Sequence, residues 1–516
     1  MKRKRLIASL LAAALLSCSF AACSEQKENA DAASAENGAG GPSDAAADQN
    51  AQPVDAEPET ERLTADLPED LDYGGETVVI MQHPFQGGDW SDWLSRDLFS
   101  EGYNGEPIND AVYSRNIAVE DRLNVHLDVQ DVANMPDAIM RQVKAGTADY
   151  NISTARIQSL PNTVLSGYLV DLNKMPRMDL TKPWYDQKCI DEASFYGLLY
   201  YVTGDMLILD DDSTGAMVFN KQLIADYNLE TPYDLVEEGR WTMDKMGEMA
   251  KTVSEDLNGN GTVELQEDRF GILWQRDAIV SFMHGCEVRL VDKDEAGEPV
   301  FVIGSERSID AFDKLDAMFF DPAVVQNIHN YEGKIQGDLY VAEANVFREN
   351  NALFMWIRMR VAENLRDMET DFGIIPVPKF DEQQKTYYST ITKYTAATVC
   401  IPNSAAFDWD VTGAVVELMS AEGHYDLREA YYDINLGTKV SRDPQSTEML
   451  SLIIENRVYD AGEIYSIGGI ADQLYSASQG SSIGLATLLA RSAKLMSRML
   501  EKNFVEKLKA LAEAAG

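Results

Sequence analysis

Positive charge is scarce in this sequence. Its 516 residues include 44 Lys and Arg against 85 Asp and Glu, which gives a formal net charge of −41 at pH 7. Proteins that bind nucleic acid neutralise phosphates with clustered Lys and Arg side chains and release counterions as they do so. A chain with this excess of acid repels phosphate backbones, so we exclude nucleic acid as its ligand.

Cysteine and histidine are also few, at five residues each. The cysteines beyond the N-terminal segment, Cys189, Cys286 and Cys400, are odd in number and widely spaced, which excludes a disulfide scaffold and a zinc site. The histidines are dispersed, and the chain lacks His-Glu-x-x-His and Walker-type glycine motifs. We therefore expect three buried cysteines and no enzymatic activity.

The N-terminus carries an export signal. A basic start at residues 2–5 precedes an apolar run at 6–16, which has the length of a signal h-region and is too short to span a bilayer. Residues 19–24, Ser-Phe-Ala-Ala-Cys-Ser, resemble a bacterial lipobox. We predict a lipoprotein signal peptide at 1–22 with lipidation at Cys23. Cys18 is the rival site, because Phe20 stands where a lipobox normally has leucine, and an ordinary cleaved signal is the other alternative.

The segment that follows, residues 23–72, is rich in Ala, Glu, Asp, Gly, Ser, Pro and Gln and has almost no large apolar residues. Such a composition cannot offset the entropy cost of ordering the chain. We predict a disordered acidic tether here, with the folded part beginning near residue 73.

From there the sequence alternates strand and helix patterns. A strand at 74–81, a helix at 111–123, a strand at 125–129, a helix at 135–145 and a strand at 150–154 predict a parallel, helix-covered sheet. The later predictions are strands at 216–220 and 372–378 and helices at 242–253, 309–320 and 481–514. The fold class is α/β throughout.

A series of short sequence motifs, together with the signal peptide and the acidic tether, resembles the lipid-anchored extracellular solute-binding proteins of bacterial ABC importers. Within these, the resemblance is to family 1, the sugar-binding group typified by maltose-binding proteins. The resemblance extends from about residue 73 to about 460. The motifs lie at residues 105–111, 182–185, 219–221, 239–242 and 373–379.

This resemblance implies a type II periplasmic-binding-protein fold, with two α/β lobes joined by crossing strands around a ligand cleft. By analogy the N-terminal lobe comprises 73–214 and 352–395, and the C-terminal lobe comprises 215–351 and 396–516. The implied protein is a monomer, anchored by its N-terminal lipid to the extracytoplasmic face of the cell membrane. It closes on a solute, which we expect to be an oligosaccharide, and delivers it to the transmembrane subunits of an ABC permease.

Sugar rings stack on aromatic side chains, while carboxylates, amides and arginine bind the hydroxyls. By analogy with sugar-binding relatives, Trp356 is the first candidate for stacking. Trp90 and Trp93 follow a predicted strand, where ligands of open α/β sheets bind. Asp211 and Asp212 belong to an acidic cluster whose alternative role is a solvated turn. The remaining candidates for ligand binding are Arg358, Trp184, Tyr185, Trp274 and Tyr388.

Residues 256–267 match the EF-hand loop pattern at each defined position, with glycine at the sixth place and glutamate at the twelfth. A strand or coil follows the loop, so we predict a single structural Ca²⁺ site rather than a sensor pair. A metal-free Asn-Gly turn is the alternative. The predicted ligands are Asp256, Asn258, Asn260, Thr262 (through its carbonyl), Glu264 and Glu267.

Two other functions compete with solute capture for transport. An extracellular glycosidase would need two opposed carboxyl groups, one of them with a raised pKa, and no feature of the sequence selects such a pair. A surface sensory or adhesion module would bind a ligand without transport. The sequence does not name the solute, since specificity depends on a few cleft side chains.

Overall fold

The computed structural model describes residues 62–84, 96–319, 321–432, 444–477 and 483–515. The predicted signal peptide, the lipidation candidates Cys23 and Cys18, and the loop residues Trp90 and Trp93 lie outside these residues. No helix in the described ranges is long and apolar enough to cross a membrane.

The strands are short and most are buried. In chain order they are β1 (Glu76–Gln82), β2 (Val125–Asp131), β3 (Ile152–Ser153), β4 (Gly215–Asn220), β5 (Phe270–Trp274), β6 (Val291–Lys293), β7 (Pro299–Phe301), β8 (Val325–Asn327), β9 (Ala352–Arg358), β10 (Phe372–Ile375), β11 (Ser389–Thr390) and β12 (Arg457–Val458).

Helices connect and cover these strands. They are α1 (Pro107–Leu123), α2 (Met135–Ala145), α3 (Pro161–Leu165), α4 (Gln187–Ala193), α5 (Leu209–Asp212), α6 (Lys221–Asp226), α7 (Pro232–Glu237), α8 (Met243–Val253), α9 (Ala278–Gly285), α10 (Glu306–Phe319), α11 (Leu339–Arg348), α12 (Val361–Asn364), α13 (Trp409–Glu429), α14 (Pro444–Glu455), α15 (Ala461–Ile464), α16 (Ile470–Ala477), α17 (Leu485–Arg498) and α18 (Glu506–Ala515).

The first sheet is the predicted βαβ arrangement. Its strand order is β2-β1-β3, and β1 pairs in parallel with both neighbours. Val78 and Ile80 of β1 are fully buried. Helix α2 begins where the side chain of Asn134 accepts a hydrogen bond from the Asp137 amide, and it ends at Gly146 with a φ of 65°. The α/β class and the parallel pairing are thus confirmed.

The second sheet has five strands in the order β10-β4-β9-β5-β8. Strand β9 is antiparallel to β4 and parallel to β5, and β5 is parallel to β8. All positions of β4, β5, β8, β9 and β10 are buried. A strand that is apolar on both faces must be covered on both sides, and the helices around this sheet provide that cover.

The strand pairings of two segments differ from the predicted division into lobes. Residues 352–375 were assigned to the first lobe, yet β9 and β10 both pair with β4 in the second sheet. Residues 396–404 were assigned to the second lobe, but Cys400 pairs with Ser153 and Val399 with Val202, beside the first sheet. The sequence of an apolar extended segment does not indicate which strand it pairs with. The sequence pattern alone could therefore not decide between the two sheets.

The end of the predicted tether is ordered against α13. Arg62 lies 2.7 Å from the Glu422 carboxylate, and the Leu63 amide donates to the Tyr425 hydroxyl at 2.7 Å. Leu67 and Leu71 pack against the core of the first lobe. The folded part therefore begins by residue 62, about ten residues before the predicted boundary. Leucines within this acidic stretch pack against the core of the first lobe.

Other predictions hold in the described residues. Cys189, Cys286 and Cys400 are free and buried. The predicted helix at 242–253 is α8, whose first turn is capped by the Thr242 hydroxyl. The predicted C-terminal helix is present as α17 and α18, joined by a π-helical turn at Met499–Val505.

Close packing of α13 gives a testable prediction. A Cβ added at Gly413 would lie 1.9 Å from the carbonyl oxygen of Pro176, and backbone on both sides leaves little room for adjustment. We expect Gly413→Ala to lower the free energy of unfolding by about 1–3 kcal/mol in urea denaturation. The matched control is Gly247→Ala in α8, where the added methyl meets only the flexible Met318 side chain. An unchanged stability of Gly413→Ala would contradict the close approach of α13 to residue 176.

Candidate functional site

A cleft of about 710 Å³ lies between the ends of strands from the two sheets. Because β9, β5 and β8 run parallel, their carboxyl ends meet at one edge of the second sheet. Arg276 and Asp277 follow β5, His329 follows β8, and Arg358 and Arg360 stand at and just beyond the end of β9. All five side chains line the cleft, at the position where open α/β sheets bind ligands.

The facing wall comes from the first lobe and the segment that crosses to it. Arg156 and Gln158 follow β3 and line the cleft. Arg156 donates to the carbonyl oxygen of Tyr394 at 3.4 Å, and Tyr394 and Thr395 complete this wall. The cleft is therefore bounded by residues of both lobes.

Arg358 is the most buried charged group of the cleft lining, with 7% of its surface exposed. Its Nη2 lies 2.9 Å from Asp277 Oδ2, and its guanidinium carbon lies 5.8 Å from the ring centroids of Tyr340 and Trp356. Burial disfavours the charged form of Arg358 and lowers its pKa, but the negative charge of Asp277 has the opposite effect. The pKa of Arg358 is raised as a result. The ion pair holds the Arg358 guanidinium in place at the floor of the cleft.

Below this ion pair lies a polar floor. Gln275 Nε2 donates to Glu343 Oε2 at 2.9 Å, and burial raises the pKa of Glu343 to about 8. Within the described part of the chain, Glu343 Oε1, Gln275 Oε1, Arg358 Nε and Trp356 Nε1 have no hydrogen-bond partner. Buried polar atoms are normally paired, so these atoms are suited to hydrogen bonds with ordered water.

Helix α11 contributes the apolar side of the cleft. Asp338 caps its start by accepting hydrogen bonds from the amides of Tyr340 and Val341. Tyr340 and Val341 are 41% and 51% exposed, and both line the cleft. The Tyr340 ring is packed edge to face against His329, at a centroid distance of 5.9 Å. An exposed aromatic ring held in this way is suited to stack on the apolar face of a sugar.

The predicted tryptophans are mostly core residues. Trp356, Trp274 and Trp184 are each at most 1% exposed, and they do not line the cleft. Trp274 stacks on Phe319 at 4.0 Å, and Tyr185 donates its buried hydroxyl to Glu417. The structure therefore places these side chains outside the lining of the cleft.

The predicted acids lie in buried ion pairs rather than in the cleft. Asp211 is 2.6 Å from Arg457, and Asp212 is 2.6 Å from Arg96. Burial raises the pKa of both carboxyl groups, and the arginines partly oppose that shift. Tyr388 is half-buried beside Arg289, outside the lining. Of the predicted ligand-binding residues that the structure describes, Arg358 alone lines the cleft.

Four residues that line the cleft were not predicted from the sequence: Arg156, Arg276, Tyr340 and Tyr394. Arg276 could have been found from its place after the apolar run Phe270–Trp274, because residues after parallel strands share one edge of a sheet. No comparable sequence signal identifies Tyr340 or Tyr394, since neither follows a strand that the sequence predicts.

No family model and no curated protein sequence matches the chain. Solved structures do match it. An ABC substrate-binding protein from Listeria monocytogenes in complex with cycloalternan aligns with a TM-score of 0.54 at 12% identity, over 83% of this chain and 99% of that one. The chain has the fold of ABC substrate-binding proteins.

Two further structures support this fold. The maltose-binding periplasmic protein MalE from Listeria monocytogenes, in complex with maltose, aligns with a TM-score of 0.54 at 14% identity, over 83% of this chain and 98% of that one. The GacH receptor of Streptomyces glaucescens, solved unliganded and with acarbose, aligns with a TM-score of 0.53 at 12% identity, over 83% and 99% of the two chains.

Several backbone segments that connect the two lobes meet beside the cleft. Thr214 pairs with Ile391, and the amide of Met359 donates to the carbonyl of Thr214 at 2.9 Å. The amide of Thr392 donates to the carbonyl of Ser213 at 3.0 Å. These contacts hold the segments at 213–214, 359 and 391–392 together.

The predicted calcium loop forms a turn that is exposed at its tip. Both oxygens of Asp256 accept hydrogen bonds from backbone amides, of Gly259 at 2.7 Å and of Gly261 at 2.8 Å. The Asn258 side chain reaches the carboxylates of Glu264 and Glu267 at 3.1 and 2.9 Å. In the described part of the chain, however, no group of three or more His, Cys, Asp or Glu side chains is arranged to hold a metal ion.

Proposed function

We propose that this protein captures a saccharide in the cleft between its lobes and delivers it to an ABC importer. The observation that supports this function is the cleft itself, which lies beyond the carboxyl ends of β5, β8 and β9 and is closed on the other side by Arg156 and Tyr394. The three solved structures of the same fold carry names that mention cycloalternan, maltose and acarbose, all saccharides.

The lining has the chemistry that a saccharide needs. Tyr340 and Tyr394 offer aromatic faces to the rings, one from each wall. Gln158, Asp277 and Thr395 offer acceptors and donors for hydroxyl groups. A ligand that touches both walls stabilises the closed arrangement, and this differential affinity drives the population toward closure.

The finer parts of the proposal concern export and transport. The protein acts as a monomer, is held at the extracytoplasmic face of the membrane by a lipid on Cys23, and presents its solute to permease subunits without altering it. The N-terminal lipobox resemblance and the acidic composition of residues 23–61 support this placement.

Thermal unfolding of the purified protein with a panel of oligosaccharides tests capture. A saccharide at about a hundred times its Kd adds about 2.7 kcal/mol to the free energy of unfolding and raises the midpoint. We expect one class of saccharide to raise the midpoint and to be recovered intact by chromatography. Cleavage of that saccharide would instead support a glycosidase, and no shift with any saccharide would contradict capture.

We also propose that the loop at 256–267 binds one structural Ca²⁺. The turn of Asp256 onto the amides of Gly259 and Gly261, and the convergence of Asn258 with Glu264 and Glu267, support this site. Ca²⁺ takes six to eight oxygen ligands, and the loop supplies carboxylate, amide and carbonyl oxygens. Two amides in place of carboxylates reduce the charge of the site, so its affinity is expected to be modest.

Calcium binding has a direct test. We expect Ca²⁺ to raise the unfolding midpoint, EDTA to reverse the rise, and Glu267→Gln to weaken the response by about tenfold or more in Ca²⁺ concentration. Glu248→Gln, an exposed acid on α8, serves as the control and keeps the full response. Equal midpoints in Ca²⁺ and EDTA would favour a metal-free turn.

A further inference from the structure

His329 lines the cleft just beyond the end of β8, with 8% of its surface exposed. Its backbone is held on both sides. The His329 amide donates to Asn327 Oδ1 at 3.0 Å, and the His329 carbonyl accepts a hydrogen bond from the Glu332 amide at 3.3 Å. The imidazole is therefore carried by the short 3₁₀ turn Ile328–Tyr331, whose position is fixed.

One nitrogen of this imidazole is already occupied by the backbone. The Arg276 amide donates to His329 Nδ1 at 3.4 Å. An amide N–H can only donate, so Nδ1 is the acceptor, and in a neutral imidazole the proton is then on Nε2.

The imidazole is neutral at pH 7. Burial and the neighbouring Arg276 lower the pKa of His329, and the opposite effects of Asp277 and Glu332 are smaller. Nε2–H is thus the one side-chain donor of His329. Within the described part of the chain, this nitrogen donates no hydrogen bond to the protein.

The ring of Tyr340 lies beside this donor. The two ring centroids are 5.9 Å apart and the ring planes are inclined by 74°. Tyr340 is 41% exposed, and it lines the same cleft. A sugar unit that stacks its apolar face on Tyr340 carries its hydroxyl and ring oxygens around the rim of that face, close to the neighbouring imidazole.

We propose that His329 donates a hydrogen bond from Nε2–H to an oxygen of the sugar unit that stacks on Tyr340, so that the two residues form one saccharide subsite. This inference rests on the proposed function and adds a binding residue to the same cleft.

This role makes His329 a determinant of specificity. A ligand that covers the imidazole removes Nε2–H from water. A ligand with an acceptor oxygen at this place restores the lost hydrogen bond, whereas one without it leaves a buried donor unpaired and binds more weakly. The subsite therefore selects sugar units by an oxygen at their rim.

Isothermal titration calorimetry of the purified protein at pH 7 tests this role, with maltotetraose, cellotetraose and xylotetraose as probes. For the probe that binds most tightly, we expect His329→Phe to weaken binding about five- to tenfold, because phenylalanine keeps an aromatic ring beside Tyr340 but has no donor. His329→Gln, which keeps a side-chain donor, should lose less. The control is His126→Gln, whose side chain is 69% exposed on β2, and it should leave affinity unchanged.

Nuclear magnetic resonance of the wild-type protein gives a second readout that does not depend on how the variants fold. The chain has five histidines, so ¹⁵N labelling of their rings gives few signals, and His329→Phe identifies the signal of His329. We expect the Nε2–H tautomer in the free protein. The Nε2–H resonance should shift when the saccharide is added, while the ring signals of the exposed His126 should not.

The outcomes separate this inference from the proposed function. Saccharide binding that is equally tight in wild type and His329→Phe would overturn the role of His329 and leave saccharide capture intact. An Nδ1–H tautomer, or an Nε2–H resonance that does not move at saturating saccharide, would do the same. No binding of any of the three probes would overturn the proposed function together with this inference.

Discussion

Replacing Arg457 with methionine lowers the free energy of unfolding by about 3–5 kcal/mol, because it leaves buried carboxylates without their counter-charge. The guanidinium of Arg457 lies 2.7 Å from Asp186, 2.6 Å from Asp211 and 3.3 Å from Asp210. Burial already raises the pKa of Asp210 and Asp211, and Arg457 opposes that rise. Without the arginine, these acids must take up protons or hydrate at the expense of the fold.

Urea unfolding at pH 7 measures this loss. The matched control is Arg240→Met, since Arg240 pairs with Glu230 and Glu238 at the surface, where an ion pair contributes about 1 kcal/mol or less. Similar small losses for both variants would mean that the acids around Arg457 are not held as buried ion pairs.

Replacing Glu343 with glutamine removes a pH dependence of stability. Burial raises the pKa of Glu343 in the folded protein to about 8 from an ordinary value of 4.5. Between these values the folded state keeps its proton while the unfolded state has lost it, so rising pH favours unfolding. Glutamine keeps the hydrogen bond from Gln275 possible and has no proton to lose.

We therefore expect the wild-type protein to lose roughly 3–5 kcal/mol relative to Glu343→Gln as pH rises from about 4.5 to about 8. Urea unfolding of both proteins across this range gives the difference directly. The exposed Glu237→Gln provides the control, and its difference from wild type should not change with pH by this amount. Parallel curves for wild type and Glu343→Gln would contradict a protonated Glu343 beneath the cleft.

Local patterns predicted the elements well. The βαβ start, helices α8 and α10 and the C-terminal helices were visible because apolar periodicity and caps are encoded within the segments themselves. What the patterns could not supply was the partner of each strand. Six of the seven residues of strand β9 are apolar, so it would fit either sheet, and its pairing with β4 depends on the rest of the chain.

The site was harder to predict for a related reason. Trp356 and Arg358 are two residues apart on β9, yet the tryptophan is buried in the core and the arginine lines the cleft. The end of the strand separates the two roles, and no strand was predicted over these residues from the sequence. Tyr340 and Tyr394 come from α11 and a crossing segment, and only the tertiary fold brings them to opposite walls.

The two lobes are expected to close around a saccharide held in the cleft. Small-angle X-ray scattering of the purified protein, with and without a saccharide that raises its unfolding midpoint, tests this closure. We expect a smaller radius of gyration in the bound state than in the free protein, and no such change with a saccharide that leaves the midpoint unchanged. An unchanged radius of gyration at saturating saccharide would contradict capture by lobe closure.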